Sequence, residues 1–444
     1  MQDLARAVDK YTELILNTER YIWKHPETGY REYETSKYLE AQFEKLGYKL
    51  IQAGDIPGFY TVVDTGRPGP EILILGEMDS LICPNHKEAD PDTGYVHACG
   101  HNVQCATLLG IAAALTEPGI CDKFCGRIRL CAVPAEELIE IEYRMELKKQ
   151  GKIKYLGGKG EFLYRGYFDG VDIAFMVHAS KEFFVRAGSV GCIAKTVYYK
   201  GVAAHAGASP WDGKNALYAA TQGITAVNAI RETFEEQDMI RFHPILTHGG
   251  EAVNSIPELV TLESFVRGSS FAAMERANKK INQALCGAAL SIGANIEIVD
   301  IPGYAPLLND KNMIRLAKDA ADLAIPEEEF LISDSIASGS TDMGDLCGLM
   351  PVVHPYAGGI AGKAHGADYD IQDPVRVCIK SAKLQLAMLL LLLQNDGKRA
   401  KEIIENFTPV FCSKDEYFRY IDTFWSDGDR IIYKDNGTAE IRLD

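Results

Sequence analysis

Positive charge is scarce in this sequence: 46 Lys and Arg face 62 Asp and Glu, a formal net charge of -16. Phosphate backbones and anionic bilayers are bound through clustered basic residues, and no basic stripe is present, so nucleic acid and membrane are excluded as partners. Long apolar runs are missing too. The longest, LQLAMLLLLLQ at 384–394, falls short of the roughly 18 residues that suggest a membrane span and reads as a buried helix. The opening MQDLARAVDKYTELILNTERYIWK spreads charges through a helical apolar spacing. It lacks the uninterrupted apolar core of a signal peptide and is expected to be an amphipathic helix of the mature protein. Neither an internal repeat nor a low-complexity tract is evident. The 11 cysteines are odd in number and irregularly spaced, which predicts reduced thiols in a cytoplasmic protein rather than a disulfide framework. Cys105, Cys131, Cys192 and Cys286 sit among apolar neighbours and are expected in the core.

What is present fits an enzyme of two or three domains, since 444 residues exceed one compact core. The first third alternates helix and strand. PEILILGEMDS and RIRLCAVPAEE read as buried strands ending in Asp79 and in Glu136 and Glu137, and VDIAFMVHAS as a strand ending in His178. The alternation predicts an α/β domain with a mostly parallel sheet. Ionisable residues gather where the strands end, the edge at which such sheets place their functional crevice. From about Gly191 the order becomes β-α-β-β-α-β, the plan of a ferredoxin-like α+β domain, and after about Pro302 the first texture returns. The expected division is therefore a first domain in two parts, 1–190 and 304–444 with a C-terminal extension, and an inserted domain at 191–303. No function is legible in the aromatic and charged stretch from about Phe407.

Several short motifs could carry chemistry. VHACGHNVQC, from Val96, places His97, Cys99 and His101 at alternating positions. Thiolate, imidazole and carboxylate are the donors that bind zinc and similar ions, so Cys99, His101, Glu137, His178 and His365 are candidate ligands. In VPAEE two adjacent carboxylates cannot point the same way; one can ligate while the other faces water as a general base. His205 lies in a loop of small residues, GVAAHAGASPWDGKNA, open to close approach of a ligand. Asn254 could donate to a developing oxyanion and Arg267 could pair a carboxylate bidentately. Each of these residues taken singly is equally compatible with a structural role. A thiol flanked by His97 and His101 also leaves open a cysteine-nucleophile amidase using Cys99, and the same donors could belong to a non-catalytic metal-binding homologue.

Taken together the set resembles a known family. HPETGYREYETSKYLEAQFEKLGY, GEMDS, HACGHN, PAEE, GVAAHAGASPWDGKNAL, NSIPELVTLESFVRG, STDMGD and AHG occur in the order and approximate spacing of M20 metallopeptidases. They look most like the amidohydrolase branch that includes aminoacylases, indole-acetyl-amino-acid hydrolases and p-aminobenzoyl-glutamate hydrolase. The resemblance covers roughly residues 5–400. It implies a two-metal catalytic domain, with zinc or manganese, and a ferredoxin-like lid that also makes a homodimer. The implied reaction is hydrolysis of an amide bond in an N-acyl amino acid, an aminobenzoyl-glutamate-like compound or a small dipeptide. Carried onto this chain, Cys99 bridges the metals, His101, Glu137, His178 and His365 complete the ligands, and Glu136 is the general base. Asp79 orients a ligand from outside the metal shell, His205 and Asn254 stabilise the oxyanion, His205 in the partner subunit's site, and Arg267 holds the substrate carboxylate.

Three features depart from the pattern. Many members of that branch have Asp where this chain has Asn102, whereas the p-aminobenzoyl-glutamate type resembles it in having Asn. The segment LIEIEYRMELKKQGKIKYL after Glu137 is longer than usual, and the tail past about 405 is extra.

Overall fold

The computed structural model describes residues 1–443. The chain divides into two compact units. The first is Met1–Gly188, Leu307–Ile336 and Thr341–Lys414; the second is Ser189–Pro306, Ala337–Ser340 and the segment from Asp415 onward.

The first unit is mixed α/β. Its six-stranded sheet contains β1 (Phe59–Asp64), β2 (Glu71–Glu77), β3 (Arg127–Val133) and β4 (Ile173–Phe175). They lie in the order Ile51–Gln52, β1, β3, β2, β4, Val352–Val353. The four strands from β3 to Val352–Val353 are parallel, whereas at one edge β1 runs antiparallel to β3 and Ile51–Gln52 antiparallel to β1. The mostly parallel sheet expected from the sequence is thus a mixed one. The apolar run of β2 is buried at every position, as befits a central strand covered on both faces. Helix α1 (His101–Leu115) packs beside it with every residue buried. A helix with no charged solvent face, whose polar side chains are confined to its first two turns, has to lie inside.

The LQLAMLLLLLQ run forms most of helix Lys380–Leu393, almost all of it buried in the same core. Among the described residues no single helix is long and apolar enough to cross a membrane. All eleven cysteines are free.

The second unit follows the expected element order: β5 (Gly191–Lys200), α2 (Ala216–Ala229), β6 (Ile245–His248), β7 (Leu259–Gly268), α3 (Phe271–Ile292) and β8 (Asn295–Tyr304). β5 pairs antiparallel with β7 on one side and β8 on the other, and β6 pairs with the far side of β7. Alternating burial along β7 marks a sheet with one packed face. Val197, Tyr199, Leu262, Ile281, Leu285 and Ile298 fill that face against the helices.

The tail corrects the expected division. The residues from Asp415 belong to the second unit, not to the first. Ser426 and Asp300 exchange main-chain hydrogen bonds, and Arg430 donates its N–H to the Ile296 carbonyl at 2.8 Å. Tyr420 and Phe424 pack on Phe271. β8 would otherwise end the sheet with unpaired main-chain groups, and the tail covers that edge.

Candidate metal centre

The ligand candidates of the first unit come from strand ends and from the turn into α1. Tyr95–Val96 is a short strand, and the chain then turns through Gly100, at φ +94°, into a helix beginning at His101. That left-handed point suits glycine. A Cβ there would also stand 2.5 Å from the Tyr369 hydroxyl. The turn breaks the alternation of HACGH: Cys99 and His101 enter the cluster, whereas His97 does not. His97 is buried with neither ring nitrogen hydrogen-bonded, and burial, aided by His101, pushes it down to about 3, so it stays neutral.

Two sets of three share one atom. Cys99, His101 and His178 each offer a ligand atom within 4.8 Å of the others, and so do Cys99, Glu137 and His365. The Cys99 Sγ stands 3.4 Å from His178 Nε2, and His365 Nε2 is 3.0 Å from Glu137 Oε1. His178 Nδ1 donates to the Ala179 carbonyl at 2.9 Å. His101 Nδ1 contacts both the main-chain oxygen and Oδ1 of Asp79, at 2.9 and 3.0 Å. With Nδ1 protonated in both rings, Nε2 is left with its lone pair for a cation. The other Asp79 oxygen, Oδ2, accepts the Glu137 N–H at 2.7 Å. One carboxylate therefore fixes two ligand candidates.

A third group, absent from the sequence reading, is Glu77, His101 and Glu136. Glu77 Oε2 is 3.1 Å from His101 Nε2, and Glu136 Oε2 is 3.8 Å from it. Glu77 is anchored by Gln104 Nε2 at 2.7 Å and by the fully buried Lys159, whose ammonium also contacts Asp342. Burial would raise Glu77, but Lys159 and His101 hold it well below the usual carboxylate range. The signal for it was in GEMDS, where two carboxylates two residues apart point to one side of an extended chain.

The charge states suit a cation. Burial and Glu137 push the Cys99 thiol up, but His101 and His178 outweigh them and bring it to about 6, a thiolate at neutral pH. Burial likewise opposes the charge on Glu137, yet His365, His101 and Cys99 hold it at about 2. His365 in turn is pushed up to about 11 by Cys99 and Glu137. A cluster that keeps thiolate and carboxylate ionised only by trapping protons on its histidines is one where a metal would displace those protons. His101 Nε2 is buried and makes no aligned hydrogen bond. Thiolate, imidazole and carboxylate together suit a borderline divalent ion, so the residues fit the metal.

Glu136 differs from its neighbour. Burial raises it well above the usual carboxylate range, and the facing charges of Glu77 and Glu137 add to the effect. His354 is 3% exposed and edge-on to His178, ring centroids 5.7 Å apart. Burial pushes it down to about 3.

The remaining candidates are carried by the second unit. His205 and Asn254 stand together there: His205 bridges to Ser255, and the Ala206 N–H donates to the Asn254 carbonyl at 2.9 Å. His205 Nδ1 accepts the N–H groups of Gly207 and Ala208, each at 3.1 Å, so its exposed Nε2 carries the proton. Arg267 donates to Ser340 Oγ at 3.1 Å. Asn102 points away from the ligands and donates to Glu19 Oε1 at 2.7 Å.

Residues 73–390 match the profile of peptidase family M20/M25/M40. The Xaa-Arg dipeptidase of Mus musculus is 28% identical over 371 residues, covering 79% of this chain and 78% of the relative. One chain of the p-aminobenzoyl-glutamate hydrolase of Escherichia coli (strain K12) is 26% identical over 356 residues, 67% of this chain and 76% of the relative. In fold the chain is similar to a dinuclear metal-binding peptidase of the M20 family from Bacillus subtilis, with a TM-score of 0.64 at 18% identity over 87% of this chain and 99% of that one. The chain therefore belongs to peptidase family M20/M25/M40 and is a hydrolase of amide C–N bonds.

Proposed function

We propose that the protein removes an acyl group or an N-terminal residue from a small substrate bearing a free carboxylate: an N-acyl amino acid, an aminobenzoyl-glutamate-like compound or a dipeptide. The observation that carries the reading is the pair of ligand triplets meeting at Cys99, with Glu136 beside His101. Two ions, zinc or manganese, would be held by Cys99 together with His101, Glu137, His178 and His365. When bound, such ions supply Lewis acidity and an acidified water.

The chain's own groups supply the rest. Glu136, whose proton affinity is raised by burial and by facing carboxylates, takes the proton of the attacking water and returns it to the leaving amine. Asp79 keeps His101 and Glu137 in place. His205, protonated at Nε2, and the Asn254 amide donate to the developing oxyanion, and Arg267 pairs the substrate carboxylate. The second unit acts as a lid and as the contact of a homodimer, through which His205 serves the partner's site. Eleven free thiols suit a reducing, cytoplasmic setting.

Glu136→Gln tests the assignment. It keeps the shape but cannot take a proton, so kcat for a cleaved N-acyl amino acid falls by about 100-fold or more, while bound metal, measured by elemental analysis, stays at the wild-type level. Substantial residual activity removes Glu136 as the base. Chelation separates this chemistry from a cysteine nucleophile: the metal enzyme loses activity and regains it with added zinc or manganese, whereas a thiol enzyme ignores the chelator.

A further inference from the structure

The loop carrying Glu136 and Glu137 holds a bend that its sequence does not favour. Ala135 takes φ +59°, a left-handed conformation that a residue with a Cβ adopts only when its surroundings impose it. Two buried side chains from other elements grip that peptide. Glu32 Oε1 accepts the Ala135 N–H at 2.7 Å. On the other side Arg144, fully buried on helix Ile141–Lys149, donates to three main-chain carbonyls: Leu156 at 2.7 Å, Ala135 at 3.4 Å, and Glu137.

The surroundings are shaped for this guanidinium. Gly29 leaves its space, since a Cβ there would stand 2.3 Å from Arg144 Nη2 and 2.9 Å from Ala135 Cα. The Tyr30 ring lies 5.6 Å from it, and the Tyr30 hydroxyl donates to the Tyr155 carbonyl at 3.0 Å. Glu32 is pushed up by burial, and the nearby Arg144 charge opposes that shift. If the helix needed only to be packed, an apolar side chain would fill this volume without burying a charge. A planar group with five donors is suited to holding several carbonyls in a fixed relation.

We propose that Arg144 is a positioning residue: with Glu32 it clamps Ala135 through its carbonyl and its N–H, the two peptides that flank the residue, and so sets the directions in which the Glu136 and Glu137 carboxylates leave the main chain. The long segment after Glu137, which the family resemblance left without a role, is then the element that delivers the clamp. The proposal rests on the roles given above to Glu136 and Glu137.

Three variants test it. Arg144→Ala removes the donors, Arg144→Lys keeps the charge without the fork, and Gly29→Ala keeps Arg144 but displaces it. Each is expected to speed amide hydrogen exchange in peptides spanning 134–140 by about tenfold or more, with β2 and β3 unchanged. Each should also weaken zinc binding, measured by chelator competition, by about tenfold, in the range seen when groups supporting a ligand are lost. For a cleaved N-acyl amino acid, kcat falls by about 100-fold, the scale of a misplacement near 1 Å, with KM within about threefold. Millimolar guanidinium restores at least about a tenth of the lost activity to Arg144→Ala and nothing to Gly29→Ala.

A kcat within threefold of wild type, or a loss accompanied by global unfolding with no selective exchange at 134–140 and no rescue, overturns the proposal. If Arg144→Ala does not fold, the other two variants carry the exchange and zinc readouts. If the wild type cleaves no acyl amino acid or dipeptide, the functional reading fails. Exchange and zinc affinity then still decide the clamp.

Discussion

Asp79→Asn is the sharpest probe of how the candidate metal centre is held. Asp79 is fully buried and uses both oxygens: Oδ1 contacts His101 Nδ1 at 3.0 Å and Oδ2 accepts the Glu137 N–H at 2.7 Å. Asparagine keeps the shape but has one oxygen. Whichever way its amide turns, its NH2 faces another N–H donor, so either Glu137 loses its partner or His101 is left with the Asp79 main-chain oxygen alone. A hydrogen bond to a charged group is worth about 1.5–3 kcal/mol, so the loosened ligand should weaken metal binding by about 10–100-fold. The assay is zinc competition against a chromophoric chelator, followed by kcat at saturating zinc. Activity should be low at limiting metal and recover in large part when metal is supplied in excess, because no group that moves a proton has been removed. An affinity within threefold of wild type would show that Asp79 does not fix the ligands. A kcat that stays low at full loading would place Asp79 in the chemistry instead.

Two further outcomes follow from the charge states. Protons compete with metal for Cys99, whose thiol lies at about 6 in the protein alone. The histidine protons that a metal must displace, on His101 and His365, make zinc affinity fall with falling pH already above neutral, and protonation of Cys99 should steepen that fall by about a further tenfold per unit below about 6; titration at pH 5, 6 and 8 that shows no steepening removes the thiolate from the ligand set. Asn102→Asp replaces a donor to Glu19 Oε1, 2.7 Å away, with a second buried carboxylate, and Glu19 is already raised by burial. The pair can share a proton at low pH, so their folded pKa is raised, and stability is retained below the unfolded carboxylate range and lost as pH rises through the folded value. Urea unfolding should show a deficit of about 1–3 kcal/mol at pH 8 that shrinks at pH 5; a deficit independent of pH would mean that the two side chains do not interact.

The local part of the site was legible because its spacing is local. Cys99 and His101 straddle one turn, Glu136 and Glu137 are adjacent, and His178 ends a strand, so the motifs themselves carry the chemistry. Glu77 was passed over in the same stretch that yielded Asp79. Its meaning depends on Lys159 and Asp342, which meet it only in the folded chain. Arg144 reads in the sequence as one charge on a charged helix; only the left-handed Ala135 and the space over Gly29 reveal what it holds. The antiparallel edge of the first sheet was missed because β1 carries no connection signal: strand direction is set by pairing with β3, not by composition. The tail shows the same limit. Its aromatics show no single period because Tyr417 and Phe418 are buried on the short helix Lys414–Ile421, whereas Tyr420 and Phe424 pack on Phe271.

The two buried polar clusters of the first unit solve different problems with the same residue types. At the metal centre, Cys99, Glu77, Asp79, Glu136 and Glu137 crowd acidic groups around His101, and among the described residues Lys159 is the ammonium that reaches Glu77. Lys159 is itself shared with Asp342, which keeps a carboxyl value of about 6 in spite of that contact because burial dominates. One cation split between two carboxylates leaves the rest of the cluster short of positive charge, and the histidines answer by holding protons. A divalent ion held by these residues would relieve the shortage and take the place of those protons. At the Ala135 clamp the balance is reversed: Arg144 reaches main-chain carbonyls, Glu32 reaches a main-chain N–H, and neither is left for a metal or a substrate. The first cluster is short of positive charge, whereas in the second Arg144 and Glu32 are committed to main-chain groups, with Glu32 Oε2 and Arg144 Nε buried and without a hydrogen-bond partner. On the roles proposed above, that difference lets the loop between them hold Glu136 in place while the proton assigned to it moves.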